Sequence, residues 1–187
     1  KPNVARYTAL LKKAYTAIKH ADHSSVVLTG GLSPGYDAPD RTQIAPLTFV
    51  QGIYANGGRH SFDALAHHPS TYPYPSTYAG SWSAFQQSPL MYDVMRTHGD
   101  ANKKVWATEI GFPTGTSNRA VGEQTQAKYL VESLRTWKAY PFAGPVFVYS
   151  MRDEGPNRAD HYQNFGLVRT SGTPKPAFLA LKAALLG

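Results

Sequence analysis

The chain has 187 residues, 42% of them apolar, which is enough for one domain with a sizeable core and too apolar for a disordered chain. It has no cysteine, which excludes a disulfide framework, a cysteine metal site and a thiol nucleophile. The formal charge is +7, but Lys and Arg are dispersed, so it reads as solvated surface and no nucleic-acid partner is expected.

The elements follow in chain order. Residues 3–21 place Val4, Tyr7, Leu10, Leu11, Ala14, Tyr15 and Ile18 on one face, which predicts a helix. Val26 to Thr29 form a β-branched run closed by Gly30, Gly31 and Pro34, a short buried strand and a loop. Residues 44–56 read as a helix stopped by Gly57-Gly58, and "SFDALAHHP" as a strand ending at Pro69. A Tyr/Pro/Ser loop precedes a helix over 82–98, with Phe85, Leu90, Val94 and Met95 inward. "KKVWATEI" is a strand, 123–140 an amphipathic helix with Tyr129, Leu130, Leu134 and Trp137 on one face, "GPVFVYSM" a strand, and 176–186 a closing helix. The order α-β-α-β-α-β-α-β-α predicts an α/β fold of parallel βα units in a single domain spanning 1–187. Four βα units fit a small open sheet or half of a (β/α)8 barrel, since a whole barrel needs at least about 200 residues. No apolar run is long enough to cross a membrane, so no membrane partner is expected. No signal peptide is visible, and a start at Lys1 rather than Met reads as a processed, trimmed or engineered N-terminus.

Every predicted strand end carries polar or aromatic groups: Ser33 with Tyr36 and Asp37; His67 and His68; Glu109; and Tyr149 with Arg152 and Asp153. In parallel α/β folds the carboxyl edge of the sheet is where sites assemble. Glu109 stands out because it ends an apolar run, and a buried carboxylate is costly unless paired. Two readings stay open for it, a salt bridge to an Arg such as Arg152 or a catalytic carboxylate. Glu123 and Glu132 read as solvated on the amphipathic helix. His67-His68 lacks the spacing of a metal site, so no metal or other cofactor is expected and a hydrogen bond to Glu109 or a substrate hydroxyl is the functional alternative. Tyr72, Tyr74, Tyr78 and Trp82 form an aromatic-rich rim, either packed on itself or stacked on sugar rings.

"VVLTGGLSP", "FDALAHHP", "VWATEIGFPTG" and "PVFVYSMRDEG", followed by "NFGLVRTSGTPKPAFLALK", resemble in that order the second half of a clan A glycoside hydrolase of the cellulase-like (β/α)8 type. The resemblance implies a retaining β-glycosidase acting on a β-linked oligo- or polysaccharide, endo-β-1,4-glucanase-like, with Glu109 as nucleophile and His68 beside it. It places His68 and Tyr149 at the substrate; with the strand-end and rim groups, the expected substrate-binding set is His68, His67, Tyr149, Trp82, Tyr72, Tyr78, Arg152 and Tyr36. Tyr149 stands where many members carry a sugar-stacking Trp. The clan's acid/base lies in an Asn-Glu pair, and none occurs in this chain. Asp37, Asp40, Asp153 and Glu154 are the substitutes, with Glu154 or Asp153 preferred because they follow the neighbouring strand. The chain is expected to be a fragment of a longer enzyme or a half-barrel that forms a homodimer or joins a missing N-terminal half. The alternative function is a catalytically impaired carbohydrate-binding module. Secretion is expected from the substrate class alone.

Overall fold

The computed structural model describes residues 1–186. Its elements are α1 (Val4–Ala21), α2 (Pro46–Ala55), β1 (Leu65–His67), α3 (Ala84–Thr97), β2 (Val105–Ile110), α4 (Glu123–Lys138), β3 (Ala143–Val148), a 3-10 turn (His161–Asn164) and α5 (Pro176–Leu186). Local chemistry sets several boundaries. Asn3 caps α1 by accepting from the Arg6 N–H, Ser83 caps α3 through Gln86, and Pro46 opens α2 where a missing N–H costs nothing.

The three strands are parallel in the order β1-β2-β3, so each connection is a crossover through a helix. This is the predicted arrangement of βα units. The expected first strand, Val26 to Thr29, is reduced to isolated parallel bridges, Leu28 with Ala64 and Leu32 with His67. Side chains take part of its ladder. Asp63 Oδ2 accepts the Val27 N–H at 2.7 Å, and Thr29 Oγ1 accepts the Ala66 N–H at 2.9 Å. The segment still lies beside β1 and delivers its loop to the same sheet edge.

Alternation along β2 separates two faces. Val105 and Ala107 are fully buried in the main core with Phe85, Met91, Met95 and Trp137. Trp106 points to the other face and stacks on Phe147 of β3 at 6.1 Å, and Phe147 is half exposed. A second core joins Phe112, Leu130, Leu167, Ala177 and Leu181 between α4 and α5. Among the described residues β3 pairs only with β2, and an apolar groove of about 650 Å³ runs beside it, lined by Leu134, Val146, Val148 and Phe178 among others. The inward faces are partly corrected: Leu10, Ile18 and Leu90 are exposed, because α1 and α3 each pack one side, against α2 among others.

Candidate active site

The carboxyl ends of β1, β2 and β3 and the loop after the Leu28–Leu32 segment open into one groove of about 990 Å³. Glu109 sits in its wall near the tip of β2, with its side chain 47% exposed. The register shifts between Ala107 and Ile110, and that irregularity falls where Glu109 leaves the strand. Arg152 does not reach it. The Arg152 guanidinium instead donates to the Thr170 carbonyl, away from the groove wall, so neither a structural salt bridge to Glu109 nor a place in the groove holds for Arg152.

The ion contact of Glu109 is with His68, whose Nδ1 lies 3.4 Å from Oε2 and 3.2 Å from Ser33 Oγ. Burial holds the His68 pKa below the usual imidazole range, although Glu109 pulls it the other way. A pKa held below that range leaves His68 mostly neutral near pH 7, so it lies beside the carboxylate without cancelling its charge. Gly31 makes this packing possible, since a β-carbon there would overlap the His68 ring.

The opposite wall is aromatic. Tyr72 meets Phe165 edge-on at 5.2 Å, and Phe165 meets Tyr149 at 5.2 Å. The Tyr149 hydroxyl donates to Glu154 Oε1 at 2.7 Å, a bond that, with burial, pushes its pKa up to about 12. Gly111 lets β2 and β3 converge here, because a β-carbon would collide with the Tyr149 carbonyl oxygen. Tyr36 and Trp82 also line the groove.

Other candidates fall elsewhere. Asp153 is buried, accepting from Lys175 Nζ at 2.7 Å and from the Gly166 N–H at 2.8 Å, so it is a structural anion outside the groove. Glu154 is committed to Tyr149 and is not part of the groove wall. Asp37 accepts from the Ala45 N–H and Thr48 at the start of α2, and Asp40 accepts from Thr42 in its own turn. Glu123 is not simply solvated but forks onto Arg169. Tyr78 stacks on Tyr74 at 4.4 Å and supports Trp82 from outside the groove wall. Sequence reading missed Arg119, Gln43 and Tyr162, which the fold carries to the groove from two loops and the 3-10 turn without a local motif. Among the described residues no group of three or more His, Asp or Glu could hold a metal ion.

His67 is not a sugar ligand. It is fully buried on the core face, with Nδ1 3.1 Å from Ser88 Oγ and Nε2 unpartnered. Successive strand side chains point to opposite faces, so only one of the pair can reach the groove. Burial lowers the His67 pKa to about 3. The unfolded imidazole gains its proton near pH 6.5, so between there and pH 3 the unfolded state binds one more proton and stability falls as pH falls. This one group should contribute a slope of about 1.4 kcal/mol per pH unit below pH 6. Denaturant unfolding at pH 7 and pH 5 checks it: His67→Asn should lose about 2 kcal/mol less than the wild type over that interval.

No family model matches the sequence, and no curated protein matches it. Solved structures do. A family 39 glycoside hydrolase from the gut symbiont Bacteroides cellulosilyticus WH2 superposes with a TM-score of 0.77 at 25% identity, covering 96% of this chain and 37% of that one. A family 17 β-1,3-glucanosyltransferase from Rhizomucor miehei gives 0.60 at 18% identity, covering 94% and 57%. A β-glucuronidase from Ruminococcus gnavus gives 0.57 at 16% identity, covering 95% and 29%. The chain thus spans between 29% and 57% of these structures' own length. A parallel sheet with crossover helices, a groove at its carboxyl edge and this set of neighbours lead to one conclusion: the chain carries part of a (β/α)8 fold of the kind found in these glycoside hydrolases.

Proposed function

We propose that this chain is the nucleophile-bearing part of a retaining β-glycoside hydrolase acting on a β-linked polysaccharide, cellulase-like, with Glu109 as the nucleophile. The observation that carries this reading is the half-exposed Glu109 carboxylate at the tip of a parallel strand, facing an open groove with His68 3.4 Å away. A carboxylate oxygen of Glu109 would attack the anomeric carbon as the bond to the leaving oxygen breaks, forming a glycosyl ester; water would then release the sugar and restore the carboxylate. Tyr72, Tyr149 and Trp82 offer ring faces to the sugars. A polymer substrate would place the protein outside the cell.

Leaving-group protonation needs a second carboxyl about 5–5.5 Å from the first in a retaining enzyme. Glu109 is the one Asp or Glu among the described residues of the groove wall. We therefore place the general acid on a complementing half-barrel rather than on Asp153 or Glu154. A specific observation keeps a second reading alive: with one carboxylate in the groove, the chain alone would serve as a carbohydrate-binding module. Incubation with an activated 2-fluoro aryl β-glycoside separates the two, since such a leaving group departs without protonation. A covalent adduct located on Glu109 by peptide mass spectrometry supports the hydrolase; binding with no adduct leaves the binding module.

The partial sheet also predicts association. The half-exposed Phe147 on the uncovered face and the apolar groove beside β3 are surfaces that water solvates poorly. Size-exclusion chromatography with light scattering should give a mass above the 20.5 kDa of the single chain. A clean monomer at that mass would count against a second copy as the docked partner.

A further inference from the structure

The groove around Glu109 contains a cation that the fold leaves without a carboxylate. Arg119 stands on the loop between β2 and α4 and lines the same groove as Glu109. It is the one Lys or Arg among the described lining residues. Its backbone N–H donates to Ser117 Oγ at 3.1 Å, which fixes the turn that presents it. Arg59, Arg96 and Arg169 hold Asp100, Asp93 and Glu123 respectively. The Arg119 guanidinium forms no ion pair with a described residue, Glu109 included.

The surroundings suit an anion carried on a ring. Tyr162 lines the groove beside Arg119, and the His161 ring lies 4.1 Å from the Tyr162 ring and 6.0 Å from Tyr72. The His161 Nε2 is buried and has no hydrogen-bond partner. Arg119, Tyr72 and Tyr162 line the same groove, so the guanidinium shares it with aromatic rings. A planar guanidinium matches a carboxylate with two parallel hydrogen bonds.

We propose that the groove takes an acidic saccharide, a uronate-type β-linked chain, whose carboxylate is held by Arg119. This rests on the reading of the groove as a saccharide site. It adds the substrate's charge, which that reading left open.

The test uses matched β-linked glucan oligosaccharides of equal length in which C6 is either a hydroxymethyl group or a carboxylate, titrated by calorimetry into the intact chain. The carboxylate form should bind at least about tenfold tighter at low salt, as a charge-assisted pair predicts. That preference should vanish in Arg119→Gln, survive in part in Arg119→Lys, and persist in Glu109→Gln, which removes the reaction but not the guanidinium. Arg119 is exposed on a loop, so its variants should fold, and circular dichroism checks this. Equal wild-type affinity for the two forms would overturn the acidic-sugar assignment while the saccharide site stands. A preference retained in Arg119→Gln would overturn the role of Arg119. Absence of binding by either form would overturn the saccharide site itself, and this inference with it.

Discussion

Glu109→Gln should lower turnover of an activated aryl β-glycoside by at least about a thousandfold while leaving the thermal midpoint close to that of the wild type. The two halves of this expectation have separate causes. An amide cannot form the glycosyl ester, so covalent labelling by a 2-fluoro glycoside should disappear with turnover. The fold should survive because Glu109 is half exposed and its ion contact, with His68, is at 3.4 Å rather than in a tight buried pair. Steady-state kinetics and a melting curve on the same preparation check both. A Glu109→Gln protein that keeps turnover would remove the mechanism. One that loses activity together with its fold would show Glu109 to be structural, contrary to its open position.

The second large effect concerns stability. Lys175→Met should destabilise the fold by about 3–5 kcal/mol, because removing one partner of a buried ion pair leaves the other uncompensated. Lys175 is fully buried at the entry to α5. Its ammonium donates to Asp153 at 2.7 Å, to Thr114 Oγ1 at 2.9 Å and to the Asn164 carbonyl at 3.2 Å. It thereby ties the loop after β2, the loop after β3 and the 3-10 turn together beneath the groove wall that carries Phe165 and Tyr149. For a chain of this size the loss corresponds to a fall of about 10 °C in the thermal midpoint. Replacing both partners, Lys175→Met with Asp153→Leu, should recover most of it, since no charge is then left buried alone. If the single variant melts with the wild type, the pair is not the clamp described. If the double variant is worse than the single, the network around Thr114 and Asn164 dominates instead.

The two expectations fall on carboxylates that look alike in sequence. Both follow an apolar run at a strand end, and both were candidates for chemistry. What separates them is the chain's return. Lys175, 22 residues beyond Asp153, comes back to cover that carboxylate, while the Glu109 side chain stays 47% exposed. Sequence reading could name the strand ends, but the closure between distant loops depends on tertiary packing. The same holds for His67 and His68. The pair was visible as a unit, and the period-2 geometry of a strand guarantees that the two point apart. Only the register of β1 against β2, with Leu65 opposite Val105, decides that His68 takes the groove and His67 the core.

Several features were fixed by sequence alone because they depend on neighbours along the chain. Apolar periodicity placed the helices within a few residues, and three of the four predicted strands form, Val26 to Thr29 being reduced to isolated bridges. Their alternation required parallel βα units, so the site had to assemble at one sheet edge. Absence of cysteine removed whole classes of chemistry before any fold was considered. Tertiary structure decided what depends on distance between remote residues. It showed which strand-end groups share a groove, left one carboxylate rather than two facing it, brought Arg119 into its wall and showed Leu10 on an uncovered face. Local sequence encodes φ/ψ preference and facing, whereas burial and pairing are set by whichever part of the chain, or of another chain, arrives to complete the contact.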